Sequence, residues 1–257
     1  MIATDRAGRS AAPGPVIDLH AHFVLPEHVA AAERAGHLRP DGMPGWPEWS
    51  AVRHMEAMDA AGIAKAMLSV PSPGVHFGDD FRARVLARRM NEAAAGVVAD
   101  HPERFGFFAS LPLPDAEAAL AEVDHAYDVL GAAGVILLSN VGGLYPGEPS
   151  WEPLWRGLNA RSATVLLHPT SPPQWRQVAL DRPRAMLEFP FDTARAVTDL
   201  ALSGVLARHP DLSVFPVCGE ILPTLAERVD HFSGMSGALK NLTTDDFYGS
   251  GYCCPAA

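Results

Sequence analysis

The sequence predicts a (β/α) barrel of the TIM type, and three observations support that prediction. Short apolar runs rich in β-branched residues alternate with longer segments of helical periodicity, which is typical of βαβ units and a parallel sheet. The chain has 257 residues, close to the ~250 residues of a typical barrel. No G-x-G-x-x-G motif follows the first strand, which disfavours a dinucleotide-binding fold.

Six apolar runs are predicted to form the strands of the sheet. Polar side chains that could take part in chemistry lie where these runs end, and a barrel places its active site at the carboxyl ends of its strands. The predicted strands are residues 16–20, 64–70, 105–111, 135–139, 164–168 and 212–217.

Helices are predicted between these strands. From Leu86 to Val97 the apolar residues recur every three or four positions, which places them on one face of a helix. Asp115 is predicted to cap the amino terminus of the helix that follows the third strand. The predicted helices are residues 48–61, 79–100, 115–130, 153–159 and 192–208, with a further one around 222–232.

Composition and charge exclude several classes of function. The net charge is -10 with no basic stripe, whereas nucleic-acid binding needs clustered Lys and Arg. No stretch approaches the ~20 apolar residues that a membrane span requires. The chain has 3 cysteines, of which Cys253 and Cys254 are adjacent, so we expect no disulfide framework and a reducing, cytoplasmic location.

The domain organisation is expected to be simple. Residues 1–15 are polar, rich in Gly, Ala and Pro, and lack the apolar core of a secretion signal, so we expect a flexible arm. Neither an internal repeat nor a linker follows, so residues 16–257 are predicted to form a single barrel domain.

Three histidines are candidate metal ligands. His20 and His22 are two residues apart at the end of the first strand, so both side chains point to the same face. His168 ends another apolar strand. Taken separately, each has a simpler explanation. His20 and His22 could be polar residues on a strand edge, and His168 could be a buried histidine whose ring nitrogens are hydrogen-bonded within the core. Together they favour a divalent metal site, because three protein ligands plus water is a common catalytic zinc arrangement.

Several stretches resemble the amidohydrolase superfamily. Residues 16–23 (VIDLHAHF) resemble its opening strand, and further stretches resemble the aminocarboxymuconate-semialdehyde decarboxylase-like branch, which includes methylsalicylate and resorcylate decarboxylases. The resemblance implies that His20, His22 and His168 bind zinc or, alternatively, manganese. It also implies a homodimer. The stretches that carry the resemblance to this branch are residues 69–77, 104–112, 167–170, 188–193 and 209–212.

The sequence departs from that family pattern near its end. The family uses a histidine after the sixth strand, where this chain has Val217, which can neither ligate a metal nor transfer a proton. Cys218 is adjacent and is a weak candidate to replace that histidine, although alternation predicts that it faces the other way. The family aspartate after the eighth strand has no clear counterpart, although Asp245 and Asp246 are weak candidates near the end of the chain. We therefore expect a barrel that lacks its last strand and helix, with the catalytic proton donor unknown.

Five residues are candidates for substrate binding, each with a simpler alternative. Trp46 and Trp49 could form an aromatic lid over the site or could be anchored by packing. Ser139 and Asn140 could bind a ligand or cap the fourth strand, and His76 could face the barrel mouth from its loop.

The function that the resemblance implies is that of a metal-dependent carboxy-lyase acting on a small aromatic or unsaturated carboxylic acid. A metal-bound water that hydrolyses an ester, amide or lactone is the first alternative. The second is a catalytically reduced barrel that binds an aromatic ligand or a partner subunit, which the replacement at Val217 favours.

Overall fold

The computed structural model describes residues 14–236, and within them six strands form one parallel sheet in sequence order. Every neighbouring pair of strands is parallel. This order, with helices between consecutive strands, confirms the predicted barrel fold. The strands are β1 (Val16–His22), β2 (Ile63–Ser69), β3 (Phe105–Ser110), β4 (Gly134–Leu138), β5 (Thr164–His168) and β6 (Ser213–Pro216).

The helices follow the predicted order, and polar caps start three of them. The side chains of Ser50, Asp79 and Asp115 each accept a hydrogen bond from a backbone N–H in the first turn, which satisfies a donor that the helix leaves free. The helices are α1 (Pro26–Arg34), α2 (Ala51–Ala61), α3 (Asp80–Asp100), α4 (Ala116–Asp128), α5 (Glu152–Ala160), α6 (Trp175–Val178), α7 (Arg184–Leu202), α8 (Val205–Arg208) and α9 (Leu222–Ser236).

The helix predicted at residues 192–208 differs from the structure in its start and in its continuity. Helix α7 begins at Arg184 and continues through Pro190, which sequence reasoning takes as a boundary because proline removes a helical hydrogen bond. The predicted helix is also broken at Gly204, whose φ of 77° suits glycine, so α8 is separate. Helices α1 and α6 were not predicted, since α1 lies in a Pro-rich segment after the first strand and α6 is a single short turn that begins where the loop after the fifth strand ends.

Alternation along the strands divides the apolar side chains between two faces of the sheet. On β5, Val165 and Leu167 pack in the large core shared with the helices, whereas Leu166 belongs to a separate inner cluster. His168 is two residues from Leu166 and therefore points to the inner face. The buried members of the inner cluster are Met67, Phe108, Ile136, Leu166 and Val217.

Some predictions concern parts of the chain outside the described residues. These are the predictions on most of the N-terminal arm, on the adjacent cysteines Cys253 and Cys254, on the candidates Asp245 and Asp246, and on the expected lack of a last strand and helix. Within the described residues, no helix combines the length and the apolar character needed to cross a membrane.

Candidate metal centre

The structure brings His20, His22 and His168 together at the carboxyl ends of β1 and β5. Each of the three Nε2 atoms lies 3.0 Å from the other two. His168 is buried, and the other two are partly exposed. Among the described residues, no carboxylate or thiol joins these three side chains in a potential ligand set.

Hydrogen bonds on the far side of two rings fix which nitrogen faces the centre. His168 Nδ1 lies 2.7 Å from the carbonyl oxygen of Pro169. His22 Nδ1 lies 3.3 Å from the carbonyl oxygen of Ser69 and 3.1 Å from its Oγ, which itself donates to the carbonyl oxygen of Ala21. A carbonyl oxygen can only accept, so Nδ1 of each ring carries the proton and Nε2 keeps its lone pair. Such an outer hydrogen bond is the usual way to orient a metal-binding histidine.

The environment keeps all three imidazoles neutral. Burial, helped by the neighbouring His20 and opposed by the hydrogen bond to Ser69, lowers the pKa of His22 to about 3. Burial is also the main cause that holds the pKa of His168 well below its usual range. Burial lowers the pKa of His20, which the carboxylate of Asp18 partly offsets. Neutral imidazole is the form that binds metal.

The arrangement fits a divalent cation. Nitrogen atoms that each lie ~2.0–2.1 Å from a tetrahedral zinc ion are about 3.3 Å apart, close to the 3.0 Å seen here. The lone pairs of His22 and His168 converge without a proton between them, which is repulsive unless a cation lies there. The three imidazole donors therefore suit a divalent cation.

Val217 and Cys218 follow β6 in the inner cluster. Val217 is buried there, and its carbonyl oxygen accepts a hydrogen bond from Thr193 Oγ1 at 2.8 Å. The prediction that Cys218 faces the other way is wrong, because its side chain packs against the same cluster. Its φ of 57° interrupts the extended backbone on which the alternation rule depends.

Ser139 and Asn140 are tied to the buried carboxylate of Asp192 on α7. Ser139 Oγ and Asn140 Nδ2 both donate to Asp192 Oδ2, and Tyr145 donates to Oδ1 at 2.6 Å. Ser139 Oγ also accepts a hydrogen bond from the backbone N–H of Thr170. These bonds hold the loops after β4 and β5 together. Ser139 and Asn140 therefore position the end of β5, which carries His168.

Trp46 and Trp49, for which the sequence left open an aromatic lid or anchoring by packing, are both held by hydrogen bonds and ring contacts within the fold. Trp46 Nε1 donates to the carbonyl oxygen of His37 at 2.8 Å, and Trp49 Nε1 donates to His54 Nδ1 at 3.0 Å. Trp49 also packs edge-on against Phe23 at a centroid distance of 5.8 Å. Neither ring lines the cavity at the carboxyl ends of the strands.

That cavity lies over the carboxyl ends of β2 to β5 and has a volume of about 320 Å³. Asn140 and His76 line it, but His76 Nε2 pairs with Asp80 Oδ1 at 2.9 Å and its Nδ1 accepts from the N–H of Gly78. Sequence reasoning did not identify four further lining residues that can carry charge or stack: His37, Asp41, Trp175 and Arg184.

Comparison with known proteins places the chain among related enzymes. The amidohydrolase family model matches residues 17–216. The chain belongs to the amidohydrolase family. Decarboxylase yanB of Aspergillus niger is 34% identical over 246 residues, covering 90% of this chain and 65% of that protein. The 6-methylsalicylic acid decarboxylase of Penicillium expansum is 34% identical over 238 residues, covering 90% and 72%.

Solved structures of amidohydrolases agree with this assignment. An amidohydrolase II structure superposes with a TM-score of 0.81 at 31% identity, covering 86% of this chain and 72% of the other. The dihydroxybenzoic acid decarboxylase of Polaromonas sp., with bound manganese and 2-nitroresorcinol, superposes with a TM-score of 0.72 at 28% identity, covering 87% and 71%. The predicted resemblance to the decarboxylase branch is therefore confirmed, while the chain spans about two thirds to three quarters of these relatives.

Proposed function

We propose that this amidohydrolase is a metal-dependent decarboxylase of small aromatic carboxylic acids. The triangle of Nε2 atoms of His20, His22 and His168, with 3.0 Å sides, is the observation that carries the proposal. The relatives support the reaction, since those most similar to the chain include decarboxylases of 6-methylsalicylic acid and of dihydroxybenzoate.

His20, His22 and His168 would hold the ion, which we propose to be manganese or zinc. Manganese is favoured by the relatives, because a dihydroxybenzoate and a carboxyvanillate decarboxylase structure both contain it. A bound divalent ion supplies a fixed positive charge that polarises a substrate oxygen and stabilises developing negative charge.

The protein's own residues orient and shield the substrate. His22 and His168 are held in one tautomer by Ser69 and Pro169, so the ligand geometry is set before substrate arrives. The inner cluster around Val217 presents apolar side chains on the same face of the sheet as His168. When carbon dioxide leaves, the carbon–carbon bond electrons remain on the ring carbon, which must take up a proton. Val217 cannot supply it, so we expect slow turnover.

Release of carbon dioxide tests this function. The purified protein is loaded with manganese or zinc and incubated with 6-methylsalicylate or 2,6-dihydroxybenzoate, and the same is done with the His20→Ala/His22→Ala double variant. We expect metal-dependent release from the wild-type chain that the double variant loses. Equal release from both proteins, or none from the metal-loaded wild type under prolonged incubation, would contradict the proposal.

We also propose that the protein forms a homodimer. In the described part of the chain, β1 and β6 are the two edges of the sheet, and Val16 and Ile17 on β1 are 54% and 51% exposed. Open strand edges with exposed apolar side chains favour association. Light scattering should give twice the mass of the chain, and a monomer at micromolar concentration would contradict this proposal.

A further inference from the structure

Helix α7 runs past the three histidines and past the place where a proton donor is missing. The ring of Phe189 lies edge-on to the ring of His168, with 6.1 Å between the two centroids. One turn later, Thr193 Oγ1 donates a hydrogen bond to the carbonyl oxygen of Val217 at 2.8 Å. The first half of α7 therefore lies beside the carboxyl ends of both β5 and β6.

Glu188 is a buried acid on this part of the helix, with an exposed fraction of 7%. It shares one helix face with Arg184 and Asp192, which lie four residues before and four residues after it. Arg184 lines the cavity over the sheet, and Asp192 holds the residues that follow β4. The helix thus places Glu188 between a residue of the cavity wall and one that supports the strand ends.

Glu188 differs from the other buried acids in having no partner. Asp41 and Asp192 accept hydrogen bonds from nearby side chains, and Glu122 accepts from an arginine and an asparagine. Within residues 14–236, no hydrogen bond or ion pair reaches the carboxyl group of Glu188. Its oxygen atoms are not among the enclosed polar atoms that lack a partner, so they reach space that water or a ligand can occupy.

An unpaired carboxyl group at this place suits proton transfer better than support of the fold. A buried charge without a partner is unfavourable, and a carboxyl group with a structural role is normally hydrogen-bonded, as Glu122 is. Buried acids in an active site are in contrast typical of general acids, which exchange a proton with the substrate.

We propose that Glu188 is the proton donor that acts in place of Val217. The inference rests on the decarboxylase function proposed above and names the residue that completes the reaction. When the bond between the ring carbon and the carboxylate breaks, carbon dioxide leaves and the electron pair stays on the ring carbon. That pair forms a bond to the proton of the Glu188 carboxyl group, and the resulting carboxylate regains a proton from water.

Glu188→Gln tests the donor, because glutamine keeps the size of the side chain but is not an acid. With manganese-loaded protein and 2,6-dihydroxybenzoate, we expect kcat to fall roughly a hundredfold, while KM changes by less than about twofold. Glu188→Asp keeps the acid and should retain more of the rate. An unchanged kcat in Glu188→Gln would contradict the role of Glu188 alone, whereas no release of carbon dioxide by the wild type would contradict the proposed function and the donor with it.

A double-mutant cycle with Val217→His separates proton donation from support of the fold. If Glu188 is the donor, the added histidine replaces it, so Val217→His should raise kcat by a factor about tenfold larger in Glu188→Gln than in the wild type. Equal factors in the two backgrounds would show that the two positions act independently and would overturn the assignment.

The stability of the metal-free protein gives a readout that does not involve catalysis. Removal of an unpaired buried acid should not weaken the fold, so the urea midpoint of Glu188→Gln should lie at or above that of the wild type. Glu122→Gln is the matched control, since the same change at a paired carboxylate should lower the midpoint and leave kcat unchanged. A midpoint that falls as far in Glu188→Gln as in Glu122→Gln would show that Glu188 supports the fold, and would overturn the proposal.

Discussion

His168 Nδ1 donates a hydrogen bond to the carbonyl oxygen of the next residue, Pro169, at 2.7 Å. This contact turns Nε2 of the ring toward His20 and His22 and fixes the tautomer that can bind a cation. The orientation of the ring therefore depends on the backbone at the end of β5.

The first prediction concerns that tautomer. In protein freed of metal by a chelator at pH 7, ¹⁵N NMR of the imidazoles should show a proton on Nδ1 of both His22 and His168. The carbonyl oxygens of Ser69 and Pro169 impose this state. A proton on Nε2 of either ring would show that the hydrogen bonds do not prepare the site.

The second prediction concerns Asp192, which holds the loops around His168. Asp192→Asn removes the charge that four donors share, two of them from Ser139 and Asn140. We expect a loss of stability of about 1–3 kcal/mol. Manganese affinity should also fall roughly tenfold to a hundredfold, because the end of β5 loses its support.

Asp199→Asn is the control for Asp192. Asp199 lies on the same helix and accepts from the backbone N–H of Gly147, farther along the loop after β4. This variant should lower stability without changing manganese affinity. If both variants weaken manganese binding in proportion to their loss of stability, Asp192 has no specific role in placing the metal ligands.

The third prediction concerns pH. Burial lowers the pKa of His28 below that of an unfolded histidine, as it does for His22 and His168. The unfolded chain therefore binds more protons than the folded one below pH 6.5, and stability falls as the pH drops from 6.5 toward 5. Urea unfolding in the presence of a chelator measures this slope.

His28→Gln checks the contribution of one group. His28 Nε2 donates to the carbonyl oxygen of Gly74 at 2.8 Å, and glutamine can donate in its place but cannot be protonated. The variant should lose less stability than the wild type between pH 6.5 and 5. If the free energy of unfolding falls as steeply in the variant as in the wild type, His28 does not contribute to this pH dependence. If the free energy of unfolding of the wild type rises on acidification, the predicted direction of the pH dependence is wrong.

The fourth prediction concerns Val217. Val217→His introduces a proton donor after β6, and a positioned acid–base group typically contributes ~10²–10⁴-fold in rate. We expect faster release of carbon dioxide, with some loss of stability because the side chain enters the apolar inner cluster. Val217→Thr, similar in shape, should give no gain. The gain should also disappear in the His20→Ala/His22→Ala background; if it persists there, the added histidine acts independently of the metal site.

The histidine cluster could be predicted because alternation on β1 and the strand end at His168 are local features. The cavity residues could not, since Asp41, Trp175 and Arg184 come from separate segments that only the fold brings together. The role of Ser139 depends on Asp192, which lies 53 residues away in sequence. The side chain of Cys218 was predicted on the wrong face of the sheet, because the alternation of residues in the sequence does not reveal a positive φ.

Metal content tests the central claim most directly. Elemental analysis by mass spectrometry should find about one divalent ion per chain in the purified wild type, since three converging imidazoles form one site. The His20→Ala/His22→Ala double variant should contain none under the same preparation, while remaining folded by circular dichroism. Metal content that is unchanged in the folded double variant would contradict the assignment of these histidines as the metal ligands.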